Sequence, residues 1–160
     1  MQLRHILVAL LVPLTWGFGF TFAKAGMGHF PPLLLMGLRF SLAALALVWF
    51  VPVPRGHFSI LVIIAFVAAT LQYGLTYSGL QLMAATPAVL LVQSEVVFGV
   101  IIAAIMLGET PTRRQIIGMI IACGGVVVIL GAPTLDGQFL GVSLLLSGAL
   151  VWAFGQVLVR

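Results

Sequence analysis

Long apolar runs, interrupted at intervals by glycine, proline and small polar clusters, make up most of the chain. A membrane-spanning helix needs about 20 predominantly apolar residues. The interruptions predict six such helices, over residues 6–25, 33–52, 59–80, 86–107, 115–131 and 139–160. Each cut has local chemistry behind it. Proline lacks an N–H and is tolerated at the first position of a helix, so Pro31-Pro32 predicts the start of the second helix and Thr86-Pro87, with a capping hydroxyl, the start of the fourth. Thr112 and Gln115 have the spacing of a capping box, in which each side chain serves a backbone N–H left orphaned at a helix start. Gly26, Gly108 and Gly131 follow apolar runs where a left-handed closing residue is expected, and Pro54 and Pro133 stop the chain from continuing as helix. Connections this short make neighbouring helices antiparallel.

Composition fixes the solvent of these helices. Of 160 residues, 62% are hydrophobic and only 6% charged, which predicts an all-α polytopic membrane protein whose first partners are membrane lipids. The net charge of +4 does not indicate nucleic acid, because the cations are scattered and the one adjacent pair is Arg113-Arg114. The single cysteine, Cys123, has no thiol partner and reads as a small apolar side chain. Residues 1–25 imitate a secretory signal with an A-x-A site at Ala23-Lys24-Ala25, but the apolar run through Phe22 is longer than a signal core and is expected to be retained. Cations concentrate in cytoplasmic loops. Placing Arg4, Arg55, Arg113 and Arg114 inside puts the N-terminus in the cytoplasm and leaves His29 and Asp136 outside, with Gly131 predicted on the extracytoplasmic side.

Residues 146–160 repeat residues 10–24 in register: Leu10 meets Leu146, Leu14 meets Leu150, Trp16 meets Trp152, Phe18 meets Phe154, Gly19 meets Gly155 and Lys24 meets Arg160. The chain holds only three tryptophans, and two of them fall together. Both copies carry a tryptophan, a larger side chain and a cation spaced four apart, which places Trp16, Phe20 and Lys24, and again Trp152, Gln156 and Arg160, on one helical stripe. A repeat unit of about five helices enters the membrane upside down the second time. Inverted-topology repeats are characteristic of secondary transporters, whose substrates bind near the midplane between the two halves. The chain is therefore expected to end one helix into a second repeat.

The stretches TWGFGFTFAK in the first helix, PPLLLMGLRF in the second, LGET closing the fourth and RRQIIGMIIACGGVVVIL in the fifth resemble the EamA-like members of the drug/metabolite transporter superfamily. The most specific elements are Gly108-Glu109 followed by Gln115, Gly118 and Gly125-Val126. The resemblance covers residues 6–131 as one five-helix repeat and residues 132–160 as the loop and first helix of a truncated second. It implies residence in the bacterial cytoplasmic (inner) membrane, alternating-access export of small metabolites such as amino acids or drugs, and a central cavity lined by helices one, three, four and six. Val96 stands where the family often has a proline after the fourth-helix glutamate, which puts a kink there in question.

Glu95 lies near the middle of the fourth helix, where a charge costs about 2.5–3.5 kcal/mol to insert. It is expected to face a cavity rather than lipid and to exchange a proton as it binds and releases a solute; the competing role is a packing carboxyl bonded to Gln93 or to a tyrosine of the third helix. Gln72, Tyr73, Thr76 and Tyr77 give that third helix a polar face suited either to a cavity wall or to interhelical hydrogen bonds. With Trp16, Phe20, Lys24, Gln93, Glu95, Trp152 and Gln156 they form the candidate substrate cavity. Lys24 is open between that role and snorkelling at the end of its helix. Arg39 reads as a snorkelling or helix-bridging residue, Trp49 as an interfacial anchor, and Glu109, Arg113 and Arg114 as orientation charges. The stripe of Gly118, Ala122 and Gly125 predicts close helix packing, within the scaffold or between repeats or protomers.

Catalysis has no footing here. His5, His29 and His57 sit at separated segment ends, and no metal-ligand cluster, nucleophile motif or cofactor signature is present, so neither enzyme chemistry nor a cofactor is expected. Two alternatives to a complete transporter remain at this stage: a small multidrug-type exporter working as a homodimer, although its essential carboxylate would belong in the first helix, and a non-transporting fragment or accessory subunit completed by a missing second half.

Overall fold

The computed structural model describes residues 3–50, 56, 58–130 and 138–158, and every regular element among them is helical. We label these α1 (Leu3–Gly26), α2 (Pro32–Leu47), α3 (Phe58–Gln81), α4 (Ala85–Leu107), α5 (Arg113–Leu130) and α6 (Phe139–Leu158). The core of α1 (Val8–Gly26), together with α3, α4 and α6, is long and apolar enough to cross a membrane. Helix α2 has 16 residues, about 24 Å at 1.5 Å per residue, short of the ~30 Å hydrocarbon core. It ends at Leu47, before the predicted boundary, and Val48–Phe50 leave it as a turn. Large apolar side chains cover the outside: Trp49 is 85% exposed, Ile105 78% and Val128 75%. A chain in water would bury such a surface, whereas lipid solvates it.

The caps resolve as chemistry. Gln115 N–H donates to Thr112 Oγ1 at 3.4 Å and Thr112 N–H to Gln115 Oε1 at 2.7 Å, so both halves of the capping box are made. Gly108 closes α4 at φ 68°, in the left-handed region. Gly26 does not use that conformation, since Gly108 is the one glycine of positive φ among the described residues. Pro32 opens α2 behind Pro31 as predicted, but α4 begins at Ala85 with Ala84 as its cap, so Thr86 and Pro87 already lie within its first turn. Gly131, Pro133 and Asp136, like Pro54, Arg55, His57 and Arg160, lie outside the described residues.

Backbone geometry departs from the α form in two spanning helices, at the depth of the candidate residues. Phe66–Leu71 of α3 form a π turn directly before Gln72. Helix α4 breaks between Val92 and Glu95, where Gln93 and Ser94 flatten to ψ −12° and −15° and Ser94 Oγ donates to the Leu91 carbonyl at 2.7 Å. The break that a proline would have imposed is present without one. Irregular backbone in a membrane is tolerated where it lines a protein cavity, and π turns concentrate at such places.

Helices α3 and α6 are locked together by small residues. Gly141, Gly148 and Gly155 recur every seven positions along α6, a spacing that holds one seam against a neighbour. A Cβ built on Gly79 would lie 2.8 Å from the Gly141 carbonyl, one on Gly148 would collide with Thr76 Oγ1, and one on Gly155 would touch the Ala68 Cβ at 3.0 Å. Those pairings, 141 with 79, 148 with 76 and 155 with 68, run the two helices antiparallel. Phe20 stacks on Tyr77 with centroids 5.8 Å apart, and Lys24 reaches Leu80, so α1 is parallel to α3. The tryptophan-bearing helices α1 and α6 are thus opposed in direction. The α5 stripe has no counterpart to this seam, for a Cβ on Gly118 or Gly125 would meet nothing within 4 Å.

The buried cluster collects at one end of the bundle: Ala23 and Met27 from the close of α1, Met36 from the start of α2, Tyr77 and Leu80 from the end of α3 with Met83 after it, Ala88, Leu91 and Val92 from the start of α4, and Leu145 from the first half of α6. That end is packed. The opposite end, where α4 turns into α5, is open.

Candidate functional site

Two cavities meet at one carboxylate. The smaller, about 50 Å³, is lined by Trp16, Gly19 and Phe20 of α1, Arg39 of α2, Gln72, Tyr73, Thr76 and Tyr77 of α3, Val92 and Glu95 of α4, and Trp152 of α6. The larger, about 430 Å³, runs from Glu95 between α4 and α6 to the α4–α5 turn, past Gly99, Ala103, Ala153 and Gln156 to Glu109, Thr110 and Gln115. Glu95, Gly99 and Ala103 are spaced four apart on one stripe, so the carboxylate stands at the head of a channel kept wide by small side chains. Glu95 is half-buried and has no hydrogen-bond partner among the described residues. Neither Gln93 nor a tyrosine of α3 holds it.

An aromatic stack forms one wall of the small cavity. The Tyr73 and Tyr77 rings stack at 5.6 Å, Phe20 covers Tyr77, and Phe40 meets Tyr73 edge-on at 4.9 Å. Arg39 Nη1 donates to the Tyr77 hydroxyl at 3.1 Å, tying α2 to α3 and bringing a cation to the cavity that holds Glu95. Gln72 Nε2 donates to Thr76 Oγ1 at 3.1 Å.

The expected residues therefore divide by place. Trp16, Phe20, Gln72, Tyr73, Thr76, Tyr77, Glu95 and Trp152 share the small cavity, and Gln156 joins Glu95 on the large one. Lys24 and Gln93 line neither. Lys24 Nζ instead donates to the backbone carbonyls of Leu80 at 2.8 Å, Gln81 at 3.0 Å and Met83 at 2.7 Å. Those are carbonyls at and just beyond the end of α3, where a helix leaves acceptors unpaired and its dipole is negative. The cation seals the packed end. Gln93 is exposed, because a residue two positions from Glu95 points to another side of the helix.

Arg39, expected to snorkel or to bridge helices, does bridge α2 to α3, and it lines the cavity as well. Gly99 and Ala103 add a wall that the polar residues do not announce, and their four-residue spacing from Glu95 is the sequence signal for it.

The profile of the EamA-like transporter family matches residues 3–131. The chain is 34% identical over 154 residues to a probable amino-acid metabolite efflux pump of Salmonella typhimurium, covering 94% of this chain and 51% of that protein. It is 32% identical over 161 residues to the protein of the same description in Escherichia coli, covering 98% of this chain and 54% of that one. An uncharacterized transporter of Bacillus subtilis is 33% identical over 164 residues, covering 97% and 53%. The chain thus spans about half the length of the curated relatives it matches. No solved structure matches it.

Proposed function

The chain belongs to the EamA-like transporter family, and on that premise we propose that it acts in the bacterial cytoplasmic membrane as the working half of a secondary exporter of small metabolites, amino acids among them. The solute enters the large cavity and Glu95 is the group that meets it. The N-terminus is cytoplasmic, so the α4–α5 turn with Arg113 and Arg114 lies inside and the open end faces the cell interior.

The observation that carries this reading is the position of Glu95, a costly charge at mid-membrane where the two cavities join. Packing on either side of it differs as alternating access requires. Toward the Lys24 end the bundle is closed by its buried cluster and by the three-carbonyl cap on α3. Toward the Glu109 end a 430 Å³ chamber is open. This is the arrangement of a carrier waiting to load from inside, and export follows when the closed end parts and the open end collapses. Glu95 couples the movement to protons by holding a solute cation when ionised and giving it up on protonation. The opposed directions of α1 and α6, with Trp16 and Trp152 on one cavity, support an inverted pair of repeats around this site. The full permeation path is completed by a second copy or by further helices.

The test is flux in liposomes. The purified chain should exchange radiolabelled amino acid across the vesicle membrane with a pH-dependent rate, and Glu95→Gln should lower that rate at least tenfold and flatten its pH profile. Wild-type flux and pH dependence in the variant would overturn the role of Glu95. Absence of flux from this chain, restored when further helices are co-expressed, would mark it as a subunit that does not transport alone.

A further inference from the structure

Helices α1 and α2 meet at their linked ends, where a Cβ on Gly26 would lie 3.2 Å from Leu35 Cδ2. Past that contact a groove of about 540 Å³ lies between them, larger than either cavity at Glu95. Phe22 of α1 and Leu38 and Leu42 of α2 are among its walls and all three are exposed, so the groove opens sideways onto the bilayer. One of its lining side chains is polar, that of Arg39.

A cation within a membrane span is costly and pairs with an anion or with polar protein groups. Arg39 has little of either. Among the described residues its one hydrogen bond goes to the Tyr77 hydroxyl, and no carboxylate lies within ion-pair distance. The side chain is nevertheless exposed, and most of the five N–H groups of its guanidinium are left for an outside partner. Arg39 stands seven residues after Pro32, about 10 Å along α2. At 16 residues that helix is shorter than the hydrocarbon core, and a short span draws the bilayer in around it. Headgroups thus descend toward the cation.

We propose that the α1–α2 groove binds one anionic phospholipid, its phosphate on Arg39 and an acyl chain along Phe22, Leu38 and Leu42. The planar fork of a guanidinium matches phosphate oxygens with two parallel N–H···O bonds. A soluble anion would meet Arg39 but leave the apolar walls bare. A second copy of the chain would have to bring a carboxylate into the groove, and both described carboxylates, Glu95 and Glu109, line the chamber between α4 and α6 instead. Gly19 and Arg39 are common to the groove and the small cavity, so a lipid held there closes the flank of that cavity against the bilayer. The site is separate from solute loading at Glu95 and stands or falls without it.

Phe22 replaced by p-benzoylphenylalanine, a near match in shape, reads the occupant in the full chain. In nanodiscs of phosphatidylglycerol and phosphatidylcholine with identical acyl chains, irradiation joins the probe to whatever lies in the groove, and intact-mass spectrometry identifies the adduct. The ratio of phosphatidylglycerol to phosphatidylcholine adducts should exceed that at the same probe on Val128, an exposed control near the close of α5, by about fivefold, the preference one cation confers on anionic lipid. Arg39→Gln should lower the ratio to that at Val128, and Arg39→Lys should keep most of it. Tyr77→Phe removes the α2–α3 hydrogen bond and keeps the cation; it should leave the ratio unchanged, which separates loss of charge from loosening of α2. Soluble glycerol phosphate in excess should not lower it. Equal ratios at positions 22 and 128, a preference that survives Arg39→Gln, displacement by glycerol phosphate, or adducts only between two copies of the chain would overturn the proposal.

Discussion

Adding one methyl group at Gly148 should do more damage than at any glycine of α5. A Cβ there collides with Thr76 Oγ1 and comes to 3.1 Å from the Thr76 nitrogen and 3.3 Å from the Gln72 carbonyl oxygen. The hydroxyl can rotate away, but only by giving up the hydrogen bond it accepts from Gln72 Nε2. The backbone atoms cannot rotate, so α3 and α6 must part by a few tenths of an ångström. Overpacking of this kind costs about 1–3 kcal/mol, and the lost hydrogen bond about 1 kcal/mol. Alanine returns about 1 kcal/mol through its better helix propensity. The net expectation is a loss of about 2 kcal/mol, or about 4–8 °C in Tm for a chain of this size. Gly118→Ala, with nothing within 4 Å of its new methyl, gains propensity without a clash and should be neutral or slightly stabilising. Thermal unfolding of the purified protein in detergent measures both. Thr76→Ala on the Gly148→Ala background should recover part of the loss, since it removes the side chain that is struck, and a double-mutant cycle isolates that coupling. If Gly148→Ala and Gly118→Ala unfold at the same temperature, the α3–α6 seam is not where the stability of the bundle resides.

Two further substitutions follow from the packed end and the helix caps. Lys24→Met strips three carbonyls at the end of α3 of their shared donor and should cost about 2 kcal/mol, the scale of hydrogen bonds to a charged group; unchanged thermal stability would show that lipid or water satisfies those carbonyls instead. Gly108→Ala forces a side chain into the left-handed region and should cost about 1–2 kcal/mol, with Gly125→Ala, which meets nothing, as the matched control in the same unfolding assay.

Most of the fold was legible because lipid imposes a simple rule on sequence. Runs of apolar residues bounded by proline, glycine and a capping box located six helices, of which four are long and apolar enough to cross a membrane, and Gly108 and Thr112–Gln115 behave as their chemistry requires. Much of the cavity lining was legible too, since a carboxylate and a polar helix face are expensive in a membrane and have few places to go, and a tryptophan repeated in register marks the paired helices. Contacts made to backbone left no such trace. Nothing in the spacing of Lys24 shows that the carbonyls of Leu80, Gln81 and Met83 will be within reach of its ammonium. The seven-residue recurrence of Gly141, Gly148 and Gly155 is visible in the sequence, but its partners on α3 are set by tertiary approach. The α5 stripe carries a similar signal, yet a Cβ on Gly118 or Gly125 meets nothing within 4 Å among the described residues. Val96 in place of a proline puts a kink in α4 in question, yet the helix is interrupted at Gln93–Ser94, where Ser94 bonds back to Leu91 with an ordinary side chain.

The central claim is that solute enters from the cytoplasmic end through the chamber between α4 and α6 and stops at Glu95. A single cysteine at position 156, made by Gln156→Cys in a Cys123→Ala background, places a reporter on the wall of that chamber. Its reaction with a membrane-impermeant maleimide, compared in right-side-out and inside-out vesicles with and without L-leucine, is the most direct measurement. Rapid labelling from the cytoplasmic face, slowed by leucine, is the expected result; labelling from the outer face alone, or a rate that leucine leaves unchanged, would contradict the account.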